Sequence, residues 1–207
     1  MDKNAQDGAS TVLNKLFGVI KGYQKGDLTL DRLVYEWFGS RSGFLKYIKH
    51  WFLAQIGRYR EFTLEPPERN RRIVFICDGN ICRSPLAEVY ARSLGRKTAS
   101  CGFCCAYGFP ADPRAESFAS SQGLSLKEHR SQNITDFEFH ESDFVVVMEP
   151  SHLNRFHELF GKKYPVVLAG NYCRHPNPYI HDPYNCCEQF FVRCEQRVIE
   201  AVRGICG

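Results

Sequence analysis

The stretch of this sequence with the clearest chemical potential is FICDGNICRSP, which runs from Phe75 to Pro85 and holds two cysteines five residues apart. The second cysteine stands directly before Arg83. Cysteines at this spacing suit a metal knuckle, a redox pair, or a nucleophile in a loop that binds an anion. The elements that flank the loop help to choose among these three chemistries.

The loop lies between a predicted strand and a predicted helix. RIVFIC (72–77) is an apolar run that predicts a buried strand, while Ser84 as N-cap and Pro85 at the first position favour a helix start. Backbone N–H groups and the helix dipole favour an anion at such a terminus. We therefore expect the pKa of Cys77, at the strand end, to be lowered.

Other residues of the loop suit the binding of a tetrahedral oxyanion. The planar guanidinium of Arg83 can bind two oxygens at once. Gly79 permits a tight turn, and Asn80 tolerates a left-handed conformation or bonds the local backbone. These features predict a phosphate cradle in which Cys77 attacks phosphorus and forms a cysteinyl-phosphate.

Such a reaction needs an acid, because expulsion of an alkoxide or phenoxide is slow unless the leaving oxygen is protonated. The sequence HDPYN offers Asp182, in a loop rich in Pro and Tyr before the last predicted helix. In a doubly wound sheet the loop after the last strand can reach the same rim as the loop after the first. Asp182 is the predicted general acid, with an ordinary turn residue before Pro183 as the other interpretation.

Short apolar runs alternate with helical patterns from residue 70 onward. Strands without polar alternation, separated by helices, indicate a parallel sheet that is covered on both faces. The predicted fold is therefore α/β and doubly wound, with ligands at the carboxyl ends of the strands. The predicted strands are 72–77, 97–102, 143–148 and 165–170, and the predicted helices are 85–94, 112–123, 150–160 and 188–205.

The first 65 residues carry helical patterns without strand candidates. Segments 11–23, 29–38 and 44–62 predict three amphipathic helices, and LEPPERN (64–70) predicts a linker. We therefore assign a helical extension to 1–65 and a separate domain to 70–207. Aromatic residues beside lysines in the third helix suit packing on that domain, with docking to a membrane surface or a partner as the alternative.

The composition narrows the class of protein. Hydrophobic residues make up 43% of the chain and charged residues 24%, which are ordinary globular values. A net charge of +4 is too small to indicate a nucleic-acid partner. The sequence shows neither a spanning segment nor a signal-peptide core, so we expect a cytoplasmic protein whose ten cysteines are mostly reduced. Their spacing matches no four-ligand zinc pattern.

Several of these segments resemble a known family. CDGNICRSP is similar to the C-x5-R-S phosphate-binding loop of the low-molecular-weight protein tyrosine phosphatases, and DPY (182–184) is similar to their general-acid loop. Further similar segments follow in the family's order at 108–115, 128–135 and 143–156. The resemblance covers about residues 70–207. It implies a flavodoxin-like sheet of four parallel strands and catalysis without a metal or cofactor.

The resemblance also implies roles for individual residues. Cys77 becomes the nucleophile, Arg83 the phosphate binder, and Asp182 the acid and then the base. Asn80 organises the loop, and Ser84 supports the thiolate. Two further sets complete the expected site: Asp78, Gly79, Ile81 and Cys82 in the phosphate-binding loop, and Phe103, Tyr107 and Tyr184 in the wall of the cleft.

The implied function is hydrolysis of phosphotyrosine in a protein substrate, for which a bacterial tyrosine kinase of polysaccharide synthesis is the family's example. One alternative is arsenate reduction on the same fold, although the segment after the third strand lacks the further cysteines of that chemistry. The other alternative is a non-catalytic module that binds phosphotyrosine or a partner. The resemblance also makes Cys82 a cysteine that can pair with Cys77 under oxidation.

Overall fold

The structure, a computed structural model, describes residues 30–207, so the helix predicted at 11–23 lies outside the described residues. Two helices begin the described chain, α1 (Leu30–Phe38) and α2 (Arg41–Gln55), and a short 3₁₀ helix follows at Arg60–Phe62. Within residues 30–207, no helix is both long enough and apolar enough to span a bilayer.

Four parallel strands form the sheet: β1 (Ile73–Cys77), β2 (Thr98–Gly102), β3 (Phe144–Val147) and β4 (Val166–Leu168). Their spatial order is β2-β1-β3-β4, which places the first two strands and the later two on opposite sides of a switch point. The predicted α/β doubly wound parallel sheet is confirmed.

Four helices cover the sheet: α3 (Arg83–Ser93), α4 (Pro113–Ser121), α5 (Pro150–Phe160) and α6 (Glu188–Cys206). Buried residues of α3, α4 and α6 form one apolar cluster, and those of α5 belong to a second cluster on the other face. Every residue of β1 is buried, and the strand alternates between the two clusters. Ile73, Phe75 and Cys77 lie in the first cluster, whereas Val74 and Ile76 lie in the second.

The two N-terminal helices meet at a short junction. Gly39 has φ 77°, a left-handed conformation that ends α1, and the Ser40 side chain caps α2 by accepting from the Gly43 N–H at 2.9 Å. Helix α2 ends at Gln55, earlier than predicted, because the chain turns at Gly57 with φ 82°.

The extension packs on the last helix of the sheet domain. Helix α1 contacts α6, and the Arg193 guanidinium lies over the Trp37 ring at 3.7 Å. The linker is attached as well, since the Tyr172 hydroxyl donates to the Leu64 carbonyl at 2.6 Å and accepts from the Leu64 N–H at 2.9 Å. The helices of the extension therefore lie against the domain rather than apart from it.

Candidate active site

The phosphate loop, residues 77–84, connects the end of β1 to the start of α3. Cys77 is buried, and its Sγ lies 3.0 Å from the Ser84 Oγ. Cys82, not the predicted Ser84, occupies the N-cap position of α3, and Ser84 is the second residue of the helix, where its hydroxyl bonds Cys77. The loop thus brings a thiol and a hydroxyl together at a helix amino terminus.

Asn80 fixes the shape of this loop. Its φ is 48°, and it is the one non-glycine residue with positive φ in the described part of the chain. Its side-chain amide donates to the Ser84 Oγ and the Ser100 Oγ, both at 2.9 Å, and its Oδ1 accepts from the Gln132 N–H at 2.9 Å. These bonds compensate the strained backbone and orient Ser84 toward the sulfur.

The loop rests directly on the end of β2. Cys77 pairs in register with Gly102, and a Cβ at Gly102 would lie 2.6 Å from the Asp78 carbonyl oxygen and 2.9 Å from the Asn80 Cβ. Only glycine leaves room for so close an approach of backbone to backbone.

Arg83 is fully buried at the base of the site. One terminal nitrogen donates to the Ile180 carbonyl at 2.9 Å and to the Glu149 Oε1 at 3.2 Å, and the other lies 3.1 Å from the Asp182 Oδ2. Its Nε has no partner within the described residues, which leaves an N–H donor for an incoming oxyanion. The two terminal nitrogens of Arg83 are therefore fixed by protein contacts, and its Nε is available to bind a ligand.

Asp182 lies on the acid loop, residues 177–187, and its side chain is 39% exposed. Besides the contact with Arg83, its Oδ1 accepts from the Tyr184 N–H at 3.2 Å. The structure thus brings the carboxylate of Asp182 next to the guanidinium of Arg83, the predicted phosphate binder, although the two residues are 99 positions apart in the chain. Its charge also reaches the sulfur, because Asp182 contributes to raising the pKa of Cys77.

Burial raises the pKa of the Cys77 thiol, and the Arg83 charge and the Ser84 hydrogen bond act in the opposite direction. The net shift is upward, so the predicted lowering is wrong. The sequence pattern indicated the helix terminus and the arginine but not the complete burial of the sulfur, which penalises the charged form.

A sequence model of the family described as low molecular weight phosphotyrosine protein phosphatase matches residues 72–206. The chain belongs to this family. The probable phosphatase EpsP of Ralstonia solanacearum is 36% identical over 80 residues, which are 38% of this chain and 55% of EpsP. The phosphatase Wzb of Escherichia coli K12 is 37% identical over 116 residues, 52% of this chain and 77% of Wzb. The matched part thus spans little more than half of EpsP.

Solved structures of tyrosine phosphatases share the fold of this chain. The tyrosine phosphatase AmsI of Erwinia amylovora superposes with a TM-score of 0.59 at 27% identity, over 70% of this chain and 95% of AmsI. The tyrosine phosphatase Wzb of Escherichia coli K30, solved with sulphate, has a TM-score of 0.56 at 30% identity, over 65% of this chain and 94% of Wzb.

A network of charged side chains supports the phosphate loop from the side of α5. The Asp78 carboxylate bonds the His152 Nε2 at 3.0 Å and the Arg155 guanidinium at 2.6 Å, and Glu149 lies 3.4 Å from the same His152 nitrogen. The hydrogen bond from His152 holds the pKa of Asp78 well below its usual range, and the charges of His152 and Arg83 lower it further. His152 thus links Asp78 to Glu149, which also accepts a hydrogen bond from Arg83.

The same network contains the one group of potential metal ligands that the described residues bring together. Ligand atoms of Asp78, Glu149 and His152 lie within 4.8 Å of one another. Arg83 and Arg155 already bond the two carboxylates and compensate their charge. A cation would have to displace both guanidinium groups, so the trio is better described as an ion-pair network than as a metal site.

Helix α6 carries a buried carboxyl whose charge would act on Cys82 of the phosphate loop. Glu195 is fully buried, and neither of its oxygens has a partner among the described residues. Burial raises the pKa of Glu195 to about 8, which keeps it neutral at pH 7. It therefore adds no full negative charge near Cys82.

The three residues assigned to the cleft wall lie in different environments. Phe103 is only 8% exposed and packs between the His152 ring at 5.4 Å and the Arg155 guanidinium at 4.3 Å. Tyr107 and Tyr184 are 75% and 52% exposed. Of the three, only the two tyrosines are exposed, whereas Phe103 packs against the ion-pair network.

Sequence reasoning missed several residues that shape the site. Glu149 holds Arg83, and the His129 ring bonds the Asn80 carbonyl at 2.7 Å. Arg114 bonds the carbonyls of Tyr184 and Cys186 in the acid loop, at 2.6 and 3.1 Å. Glu149 could have been found from the sequence, because it directly follows the predicted third strand (143–148), at the rim of the sheet where ligands bind. The other two become visible only when distant loops are brought together.

Proposed function

We propose that this chain is a protein-tyrosine phosphatase that hydrolyses phosphotyrosine through a cysteinyl-phosphate intermediate. The observation that carries the proposal is the convergence of Cys77, Arg83 and Asp182, in a chain whose family is established over residues 72–206. Nucleophile, anion binder and proton donor are the three groups that metal-free cleavage of a phosphate ester requires.

In the first step the Cys77 sulfur, in its thiolate form, attacks phosphorus, and an S–P bond forms as the bond between phosphorus and the phenolic oxygen breaks. Asp182, in its protonated form, gives its proton to that oxygen, so tyrosine leaves as the neutral phenol. Arg83 and the backbone N–H groups at the start of α3 bind the non-bridging oxygens, whose charge they stabilise most in the transition state. The Ser84 hydroxyl stabilises the thiolate by donating to the sulfur.

In the second step water attacks phosphorus and the S–P bond breaks. Asp182, now a carboxylate, accepts a proton from that water, and the departing sulfur again receives the Ser84 hydrogen bond. The products are inorganic phosphate and the Cys77 thiolate, and Asp182 is protonated again for the next turnover. One carboxyl therefore acts as acid and then as base, which requires it to face both the leaving oxygen and the incoming water.

We propose a phosphotyrosine protein as the substrate, with a bacterial tyrosine kinase of polysaccharide synthesis as the specific candidate. The similarity to the bacterial phosphatases EpsP, AmsI and Wzb supports this choice. The exposed rings of Tyr107 and Tyr184 are the proposed contacts for the substrate phenol. The sulphate bound by the Wzb of Escherichia coli K30 has the shape and charge type expected of a ligand for such a loop.

The test is hydrolysis of 4-nitrophenyl phosphate and of a phosphotyrosine peptide by the wild-type chain and by Cys77→Ser. We expect turnover by the wild type and a loss of roughly 10⁵-fold or more without the nucleophile. Binding of inorganic phosphate should survive in Cys77→Ser, because Arg83 remains. A wild-type chain that binds phosphate without turnover would support the non-catalytic alternative, and thiol-dependent reduction of arsenate would support the reductase.

A further inference from the structure

The acid loop makes close contacts with the N-terminal extension on the side away from Arg83. The Asn177 side chain donates to the Tyr47 carbonyl in α2 at 3.2 Å, and Asn177 is fully buried. The His50 ring of α2 stacks on Tyr179, with 5.3 Å between ring centroids and 28° between planes. The beginning of the acid loop is thus attached to α2.

The centre of the loop is in still closer contact. The His181 ring lies against two glycines at the junction of α1 and α2, which we call the glycine pair (Gly39 and Gly43). A Cβ at Gly39 would lie 2.7 Å from the His181 Cδ2, and one at Gly43 would lie 3.0 Å from the same atom. The His181 ring therefore fills space that any side chain at these positions would occupy.

The ring is also oriented by hydrogen bonds. Its Nδ1 contacts the Tyr179 hydroxyl at 2.5 Å, and its Nε2 lies 3.5 Å from the Ser40 Oγ. Burial lowers the pKa of His181, so the ring is neutral at pH 7 and carries one N–H. Its position is set by packing and hydrogen bonds rather than by charge.

The end of the loop contacts the same junction. A Cβ at Gly39 would also lie 2.7 Å from the Cys186 Sγ, and that thiol in turn contacts the Asp182 carbonyl at 3.4 Å. The Cys187 thiol approaches the Tyr35 carbonyl of α1 at 3.6 Å. Residues on both sides of Asp182 therefore rest on the extension.

We propose that the extension positions the general acid: the glycine pair receives the His181 ring and thereby holds Asp182, the next residue, beside Arg83. This inference rests on the proposed function, since it assigns a role to the extension within that reaction. His181 and the glycine pair are positioning residues, because their effect on the leaving oxygen passes through Asp182. Asp182 itself is 39% exposed and has few bonds of its own. Its placement consequently depends on its neighbours.

The test compares two glycines of the extension in the same conformation. Gly39 and Gly57 both have positive φ, at 77° and 82°, so an alanine strains the backbone equally at either position. A methyl group at Gly39 meets His181 and Cys186 at 2.7 Å and the Phe190 ring of α6 at 2.9 Å, whereas one at Gly57 meets only the flexible Arg60 side chain, at 3.2 Å. Gly57→Ala is thus the matched control for Gly39→Ala.

The readout is kcat/KM for a series of aryl phosphates with increasingly basic leaving phenols. A misplaced acid matters most when the leaving oxygen is basic, so Gly39→Ala should lose roughly tenfold to a hundredfold with phosphotyrosine and little with the most acidic phenol. Inhibition by inorganic phosphate should stay unchanged, because Cys77 and Arg83 are untouched. Gly57→Ala should behave as the wild type in both measurements.

A second variant keeps the test decisive if Gly39→Ala does not fold. His181→Ala removes the ring and should show the same dependence on the leaving group. In the background of Asp182→Asn, neither change should cause further loss, because the acid is already absent.

If folded His181→Ala shows the same dependence of kcat/KM on the leaving phenol as the wild type, the inference is wrong, and the proposed function is unaffected. If the wild type hydrolyses none of the aryl phosphates, the proposed function itself fails.

Discussion

The phosphate loop and the acid loop both carry groups of the proposed reaction, and they are fixed by different parts of the chain. The phosphate loop is held mainly by Asn80 and Ser84 within it and by Ser100, Gly102 and Gln132 nearby in the fold. The acid loop is held by Arg83, by Arg114 and by the helices at residues 30–55.

This difference separates two kinds of catalytic group. The nucleophile lies in a compact, buried loop that joins a strand directly to a helix, and residues of neighbouring elements bond that loop from outside. The acid lies on a partly exposed loop without regular structure over residues 177–187, and its position is the sum of contacts from remote elements. Changes in the phosphate loop should therefore affect binding and chemistry together, and changes around the acid loop should affect proton transfer alone.

The largest expected effect comes from Arg83→Lys, which keeps the charge but removes the planar fork. We expect kcat/KM for phosphotyrosine to fall by roughly a thousandfold, since a compact ammonium cannot hold two oxygens in the same geometry. Arg155→Lys is the matched control, because Arg155 bonds Asp78 at the edge of the same network and is 37% exposed. Steady-state kinetics of both variants check the prediction, and equal losses would contradict it.

A smaller and more selective loss is expected from Asp182→Asn, which retains the size of the side chain but supplies no proton. We expect kcat to fall by roughly a hundredfold or more with phosphotyrosine, in the range typical of general acid catalysis. Inhibition by phosphate should persist. Asp136→Asn, in an exposed turn, is the control. If phosphate binding collapses together with kcat, the separation between the two loops is wrong.

The smallest effect is expected from Ser84→Ala, which removes the hydroxyl 3.0 Å from the Cys77 sulfur. Because that hydrogen bond lowers the pKa of Cys77, its loss should raise the pKa further and shift the rate of alkylation by iodoacetamide to higher pH. We expect kcat/KM to fall about tenfold, the value of one hydrogen bond of about 1.5 kcal/mol to a charged group. Ser93→Ala on the exposed end of α3 should leave the profile unchanged, and a shift to lower pH in Ser84→Ala would refute the assignment.

The contrast between the loops also explains how much could be predicted from the sequence. The four strands, the helices of the sheet domain and the phosphate loop follow from periodicity and from residue types at adjacent positions, and the fold was predicted correctly. The length of α2 was not, because the helical pattern of 44–62 continues past Gly57 although the chain turns there.

The environment of the site was the harder part. The complete burial of Cys77, and with it the upward shift of its pKa, results from its place in the apolar cluster to which α3, α4 and α6 contribute. The glycine pair looks like a helix stop and a loop residue in the sequence, since its contact with His181 joins positions about 140 residues apart. The periodicity of a sequence carries no information about contacts between residues so far apart in the chain.

The alternation of β1 between the two apolar clusters has a consequence for any change in the length of the strand. Cys77 shares its side with Ile73 and Phe75, so the sulfur points toward α3 because it is in phase with the core residues of that face. Deleting or inserting one residue within β1 would leave either the core residues or the nucleophile on the wrong side of the sheet. Natural or engineered variants of this strand can therefore change length only in steps of two.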